Sequence, residues 1–195
     1  MQKIAVYCGS NFGESKNYFD ATQELGRLLA EQNLGLVYGG GKVGLMGTIA
    51  DAVLAHGGHV TGVIPTFLRE LEKAHDGLSE LIETPDMTVR KQEMIVRADA
   101  YIAMPGGVGT FEELFEVLSM GQLRLQQKPI GLLDVDGFYQ PLLALIEQAI
   151  TSGFMPESNR TLMVVDSNPQ TLLDKMRAYE PVYTQKWHQP QWMQD

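Results

Sequence analysis

The sequence of 195 residues contains a single cysteine, Cys8, and fewer basic than acidic side chains, 15 against 24. One cysteine excludes an internal disulfide and is typical of a reducing compartment. The net charge of -9 disfavours binding to a nucleic-acid backbone, which normally requires a basic face. No apolar run approaches the ~18 residues of a membrane span, and the run that ends at Cys8 is too short for a signal-peptide core. We therefore expect a cytoplasmic protein without a nucleic acid or a membrane as partner.

The length and the composition indicate one compact domain with a substantial core. Hydrophobic residues make up 44% and charged residues 20%, a balance that is typical of globular proteins and not of disordered chains. From residue 186 onwards, a stretch that includes Trp187 and Trp192, the sequence shows no clear periodicity. We predict a single domain over residues 1–180 and a C-terminal tail over residues 181–195.

Short β-rich runs alternate with longer amphipathic stretches along almost the whole chain. The predicted strands are residues 4–8, 34–38, 59–64, 100–104, 129–134 and 162–165. The predicted helices are residues 15–32, a stretch that ends near 56, 88–97, 110–123, 138–152 and 169–179, and residues 71–81 are predicted as a loop with a short helix. This alternation predicts an α/β protein with a Rossmann-like three-layer fold, in which helices cover both faces of a parallel sheet.

The loop after the strand 100–104 is rich in glycine and reads Pro-Gly-Gly-Val-Gly-Thr-Phe-Glu-Glu from Pro105 to Glu113. Glycines allow a ligand to approach the backbone, and the start of the following helix offers N–H groups to an anion. The loop is therefore predicted to hold a phosphate group. Thr110 and Glu113 also match the T-x-x-E spacing of a capping box. The spacing alone thus leaves Glu113 as either a helix cap or a catalytic carboxylate.

A second glycine-rich loop, residues 39–47, follows the strand 34–38. Its G-x-G-x-x-G match is weak as a dinucleotide fingerprint, because the strand 59–64 ends without an acidic residue for a ribose hydroxyl. It is not a Walker A loop either, since Val43 follows Lys42 where Ser or Thr would bind magnesium. Hydride transfer and nucleoside triphosphate hydrolysis are disfavoured. Gly9-Ser10, after the first strand, is either an ordinary turn or a ligand contact.

Residues 105–113 resemble the PGGxGTxxE signature of the Lonely Guy family of cytokinin riboside 5′-monophosphate phosphoribohydrolases, many relatives of which were once labelled lysine decarboxylases. The resemblance extends from about residue 3 to residue 179. Further blocks in family order are Cys8-Gly9-Ser10, Gly39-Gly40-Gly41, Gly44-Leu45-Met46-Gly47, Arg90-Lys91 with Met94, and residues 128–133. Many members read M-H-x-R-K before the signature, whereas this chain has Thr88 in place of the histidine, which leaves the substrate preference open.

The resemblance implies a nucleotide-binding domain with Arg90 and Glu113 as catalytic residues. Glu72 is the best match for an acidic substrate contact in the loop before Arg90, with Glu70 as a competitor, and Ser119 stands where plant members have threonine. The complete set of implied substrate contacts is Gly9, Ser10, Gly40, Gly41, Met46, Glu72, Lys91, Gly106, Gly107, Val108, Gly109, Thr110, Phe111, Glu112 and Ser119. The resemblance also implies a homodimer, and we expect no cofactor. We expect no metal either, because the four histidines lack ligand spacing.

Cleavage of a ribosyl C1′–N9 bond develops positive charge on the sugar and negative charge on the departing base. Glu113 would stabilise the oxocarbenium-like state or orient the attacking water. Arg90 would bind phosphate, hold the glutamate in place or counter charge on the base, and orientation and charge stabilisation are the favoured roles. The expected reaction converts a purine nucleoside 5′-monophosphate, either AMP or an N6-modified cytokinin-type analogue, to free base and ribose 5-phosphate. The alternative is a non-catalytic nucleotide or cofactor carrier of the same fold. A pyridoxal-dependent decarboxylase is disfavoured, because no lysine stands in a convincing context.

Overall fold

A seven-stranded parallel sheet forms the centre of the protein in the computed structural model, which describes residues 1–69, 71, 73–182 and 193. The sheet order is β4-β3-β2-β1-β5-β6-β7. The strands are β1 (Lys3–Tyr7), β2 (Gly35–Tyr38), β3 (Val60–Pro65), β4 (Glu80–Thr84), β5 (Ala100–Ala103), β6 (Ile130–Leu133) and β7 (Val164–Asp166). All neighbouring strands pair in parallel, which confirms the predicted sheet.

Six α-helices cover the two faces of the sheet. They are α1 (Lys16–Glu31), α2 (Gly44–Ala55), α3 (Met87–Arg97), α4 (Val108–Gln122), α5 (Gln140–Thr151) and α6 (Pro169–Arg177). Alternate residues of β1 enter different apolar clusters: Ile4 and Val6 pack with α1, α2 and α6, whereas Ala5 and Tyr7 pack with α3, α4 and α5. Because successive strand side chains point to opposite faces, this alternation produces the predicted three layers.

The strand order reverses direction between β1 and β5. The chain proceeds from β1 outward to β4 and then returns to place β5 on the other side of β1. In sheets of this kind a ligand binds in the crevice beyond the carboxyl ends of the strands at the reversal. The loops that follow β1 and β5 meet there, since the Gly9 N–H donates to the Pro105 carbonyl at 3.1 Å.

Two details of the predicted secondary structure are wrong. Residues 80–84 form strand β4, although residues 71–81 were expected to form a loop with a short helix. This strand lies at the sheet edge, pairs only with β3 among the described strands and is only partly buried, so its sequence lacks a continuous apolar run. Helix α4 begins at Val108 and not at Thr110.

Helices of the described chain are all too short or too polar to cross a membrane. Of the predicted tail, residues 181, 182 and 193 lie within the described part.

Candidate active site

Helix α3 carries Arg90 into the interior at the carboxyl end of β3. The Asp86 carboxylate caps the helix by accepting from the Val89 N–H at 2.9 Å. Arg90 and Met94 are one turn apart and share the face that packs on the sheet, so both side chains are buried. The Arg90 Nε–H donates to the Val63 carbonyl at 3.3 Å. The helix thus holds a guanidinium group across the end of a central strand.

Helix α4 carries Glu113, and its start excludes the helix-cap interpretation of this residue. Gly107 is the N-cap, without a side-chain hydrogen bond. Thr110 is therefore the third helical residue and Glu113 the sixth, so their spacing does not form a capping box. The first intrahelical bond runs from the Phe111 N–H to the Gly107 carbonyl at 3.1 Å. The N–H groups of the first three helical residues have no partner within the helix and can bind an anion.

Arg90 and Glu113 form an ion pair at the reversal of the strand order. The Nη1 and Oε1 atoms are 3.2 Å apart, and each side chain is only 9% exposed. Burial of an ion pair carries a large desolvation cost, so such a pair is weak support for stability. Its position in a cavity indicates a functional role instead.

The pair lines an open cavity of about 180 Å³. The remaining lining comes from β1, the two glycine-rich loops and the start of α4. The lining residues are Val6, Tyr7, Cys8, Gly9, Ser10, Gly39, Met46, Arg90, Gly107, Val108, Gly109, Thr110 and Glu113. The cavity thus combines a carboxylate and a guanidinium with an anion-binding helix start.

The glycines of the loop before α4 serve two different purposes. A Cβ on Gly106 would overlap Thr110 Oγ1 and would lie 2.9 Å from the Gly9 backbone nitrogen, so Gly106 allows the loops after β1 and β5 to pack together. A Cβ on Gly107 or Gly109 would meet no atom within 4 Å. These two glycines leave open space beside the unpaired N–H groups, where a ligand can approach the backbone.

Comparison with known proteins places the chain in a family. A sequence model of the family described as "Possible lysine decarboxylase" matches residues 46–176. The chain is 45% identical over 195 residues to the probable cytokinin riboside 5′-monophosphate phosphoribohydrolase LOGL2 of Oryza sativa subsp. japonica, covering 97% of this chain and 80% of that protein. It is 44% identical to the cytokinin riboside 5′-monophosphate phosphoribohydrolase LOG5 of Arabidopsis thaliana, covering 93% of this chain and 79% of that protein. The chain belongs to this LOG family.

The fold is shared with proteins that are not named as phosphoribohydrolases. The molybdenum cofactor binding protein from the phototrophic bacterium Rippkaea orientalis superposes with a TM-score of 0.69 at 21% identity, covering 90% of this chain and 95% of that one. At this identity the likeness concerns the fold alone. The LOG-family membership therefore rests on the sequence relatives and the family match.

The structure brings together most of the site residues implied by the LOG resemblance. Gly9, Ser10, Met46 and the residues from Gly107 to Thr110 line the same cavity as Arg90 and Glu113. Gly106 supports the turn, and the Phe111 ring stacks on Phe138 with a centroid distance of 6.3 Å. Glu72 and its competitor Glu70 lie outside the described residues.

Gly40 and Gly41 hold the neighbouring chain segment and do not line the cavity. Gly40 has a φ of 78°, and its carbonyl accepts from the His75 N–H at 3.0 Å. Gly41 forms an isolated antiparallel bridge with Ala74, and its carbonyl accepts from the Tyr38 hydroxyl at 3.1 Å. The first glycine of this run, Gly39, is the one that borders the cavity.

Sequence reasoning missed Gly39, Tyr7 and Cys8 as cavity residues. Burial, followed by the nearby charge of Glu113, raises the pKa of the Cys8 thiol well above its usual range, and the same two causes raise the pKa of the Tyr7 hydroxyl. Both groups therefore stay protonated at neutral pH, and Cys8 is a poor nucleophile. The family block Cys8-Gly9-Ser10 was a signal for the thiol, but no sequence feature marked Tyr7.

Lys91 and Glu112 pair with each other beside the Arg90–Glu113 ion pair. Lys91 Nζ lies 2.6 Å from Glu112 Oε1 and 3.3 Å from Glu116 Oε2, so it links α3 to α4. The hydrogen bond to Glu112 raises the pKa of the lysine. In the described structure neither Lys91 nor Glu112 lines the cavity, although the resemblance implies that both contact substrate.

Replacing Lys91 by Met is expected to lower the free energy of unfolding by about 1 kcal/mol, because the link between the two helices is lost. Urea unfolding measures this coupling. The effect of Lys91→Met is compared in the natural protein and in a background that carries Glu112→Gln and Glu116→Gln. The loss should be smaller in the combined background, where the carboxylates are absent. An increased KM for nucleotide without a change in stability would contradict this expectation and place Lys91 on the substrate.

Ser119 lies apart from the cavity, about a turn and a half beyond Glu113 on α4. It is exposed and lines a separate apolar groove with Phe115, Phe154 and Leu162. In the described residues no three His, Cys, Asp or Glu side chains are grouped as metal ligands would be.

Proposed function

We propose that this chain hydrolyses the N-glycosidic bond of purine nucleoside 5′-monophosphates and releases free base and ribose 5-phosphate. The observation that carries the proposal is the buried Arg90–Glu113 pair, which faces a cavity bordered by a glycine-rich helix start. The relatives from Oryza sativa and Arabidopsis thaliana are named phosphoribohydrolases, and their sequences align with nearly the whole of this chain. The substrate therefore needs two features that this site recognises, a phosphate group and a glycosidic bond about one ribose away.

The start of α4 provides the phosphate site. The N–H groups of Val108, Gly109 and Thr110 are free of helical partners, and the helix dipole places partial positive charge at this end. No acidic residue stands in the first turn of α4 to compete with an anion. A protein of net charge -9 can thus bind phosphate, because backbone dipoles and Arg90 create a local positive field.

Glu113 and Arg90 provide the chemistry once the phosphate is anchored. As the C1′–N9 bond breaks, the Glu113 carboxylate stabilises the developing charge on the ribose or accepts a proton from the attacking water. The water oxygen then bonds to C1′ and loses a proton to Glu113 or to solvent, while the base departs with the electron pair of the C1′–N9 bond and takes up one proton from solvent. The Arg90 guanidinium fixes the carboxylate and counters negative charge as it develops.

The non-catalytic carrier is the weaker hypothesis. A carrier needs the phosphate site but has no use for a buried carboxylate–guanidinium pair, whose desolvation cost it would bear without benefit. The relatives that are about 45% identical are named as hydrolases, whereas the cofactor-binding protein resembles this chain only in fold.

Two further properties are part of the proposal. We place the protein in the cytoplasm, as its single cysteine suggests, and we propose a homodimer. Phe115 on α4 and Phe154 after α5 are exposed beside an apolar groove, and exposed apolar patches mark protein interfaces. Light scattering during size-exclusion chromatography should give about twice the chain mass of 21.6 kDa, and a monomeric mass would contradict the dimer.

A direct assay tests the proposed reaction. Purified protein is incubated with AMP, N6-isopentenyl-AMP and adenosine, and both free base and ribose 5-phosphate are quantified. We expect both products in equal amounts from a monophosphate, and much slower cleavage of adenosine, which lacks the anchoring phosphate. The faster monophosphate identifies the preferred base. Binding of AMP without release of base would favour the carrier.

A further inference from the structure

The guanidinium group of Arg90 occupies a closely defined space. It reaches from α3 across the end of β3, where its Nε–H donates to the Val63 carbonyl, and then toward Glu113 on α4. Arg90 as a whole residue is only 7% exposed, so protein atoms surround its side chain on nearly all sides. The position of the group relative to Glu113 is therefore set by whatever lies against it.

Gly39 lies directly against this guanidinium. A Cβ at Gly39 would overlap Nη2 of Arg90 and would lie 3.3 Å from its Cζ and 3.1 Å from Met46 Sδ. The backbone of Gly39 is not strained: Gly40, the next residue, has a positive φ, whereas Gly39 does not. The requirement for glycine at position 39 is thus one of space and not of backbone conformation.

We propose that Gly39 is a positioning residue for Arg90. The guanidinium of Arg90 lies in the space that a side chain at position 39 would occupy. Any larger residue there moves the guanidinium away from Glu113. The kinetic part of this inference rests on the proposed function, whereas the position of Arg90 can be observed without catalysis. The competing explanation is that Gly39 admits the substrate directly, as a glycine bordering a cavity can.

The test compares Gly39→Ala with Gly35→Ala. Gly35 is the first residue of β2, the strand that Gly39 directly follows, and a Cβ there would make ordinary contact with Lys3 Cγ at 3.4 Å. We expect Gly39→Ala to lower kcat for nucleotide cleavage by about 10- to 100-fold, since a shift of about 1 Å suffices for that loss, with KM within about twofold. Gly35→Ala should behave as the natural protein. A rise in KM with unchanged kcat would make Gly39 a substrate contact and overturn the inference.

NMR of protein labelled with ¹⁵N-arginine observes the group itself. The Nε–H signal of Arg90 is identified by its absence in Arg90→Lys. Because this hydrogen is buried and bonded to Val63, it should exchange slowly with solvent in the natural protein and in Gly35→Ala. In Gly39→Ala we expect its signal to move and its exchange to accelerate. An unchanged Arg90 signal in Gly39→Ala would overturn the inference, whether or not the protein is a hydrolase. If the signal moves but the natural protein cleaves no nucleotide, only the proposed reaction is rejected.

A double-mutant cycle covers the case in which Gly39→Ala folds poorly. In an Arg90→Ala background the overlapping guanidinium is absent, so Gly39→Ala should destabilise the protein less than it does alone and should lower kcat no further. An equal loss of stability in both backgrounds would show that Gly39 serves another part of the fold, and the inference would be wrong.

Discussion

Replacing Glu113 by Gln is expected to lower kcat for nucleotide hydrolysis by about 10²- to 10³-fold, the loss typical when one electrostatic contact to a transition state is removed. Glutamine keeps the shape of the side chain but cannot carry the negative charge that the oxocarbenium-like state requires. KM should change little, because the proposed phosphate site is the start of α4 and does not include this carboxylate. Steady-state release of free base measures both constants.

The matched control for this variant is Glu93→Gln. Glu93 lies on α3 and pairs with Arg97 at 2.9 Å, outside the cavity. Its replacement also removes one carboxylate from an ion pair with arginine, but the pair is partly exposed and contributes little. We expect activity within about twofold of the natural protein, as for most surface substitutions. If Glu113→Gln retained activity at the level of this control, Glu113 would have no part in the reaction.

Two glycines of the same loop should respond to alanine in opposite ways. Gly106→Ala places a Cβ against Thr110 and 2.9 Å from the Gly9 nitrogen, so the turn must shift. We expect a loss of about 1–3 kcal/mol in the free energy of unfolding and a fall of about 100-fold in kcat/KM, because the phosphate site moves with the turn.

Gly109→Ala meets no atom within 4 Å, and its backbone is helical. Alanine is favoured over glycine in helices by about 0.5–1 kcal/mol, so stability should remain or increase. The added methyl group nevertheless occupies the open space beside the free N–H groups, and AMP should bind about tenfold more weakly, a loss of about 1.4 kcal/mol. Urea unfolding and calorimetric titration with AMP separate the two effects. Natural affinity in Gly109→Ala would mean that the phosphate lies elsewhere.

Much of the fold and of the site could be predicted from short-range features of the sequence. Strand–helix alternation with apolar strands predicts a covered parallel sheet, because only that arrangement buries both faces. A run of glycines between a strand and a helix predicts an anion site, since both the missing Cβ atoms and the free N–H groups are local properties. The pairing of Arg90 with Glu113 was available only through the family resemblance, because nothing in the spacing of 23 positions implies contact.

Other features depended on contacts that no local pattern encodes. The T-x-x-E spacing at Thr110 allowed a cap, and the structure excluded it, because Gly107 begins the helix earlier. Strand β4 was missed, since an edge strand with one described neighbour needs few apolar residues. Lys91 was assigned to the substrate, and the structure gives it two carboxylate partners on α4.

The sequence by itself determined the class of fold, the family and the two residues proposed to perform the chemistry. The tertiary structure decided how those residues are held: the Arg90 guanidinium lies across the end of β3, against Gly39 and beside Glu113. These groups come from four separate segments, which are α3, β3, the loop after β2 and α4, and the order of strands in the sheet brings them together. The hydrophobic periodicity of a sequence indicates whether a segment forms a strand or a helix, whereas the distance between two segments depends on how all of them pack.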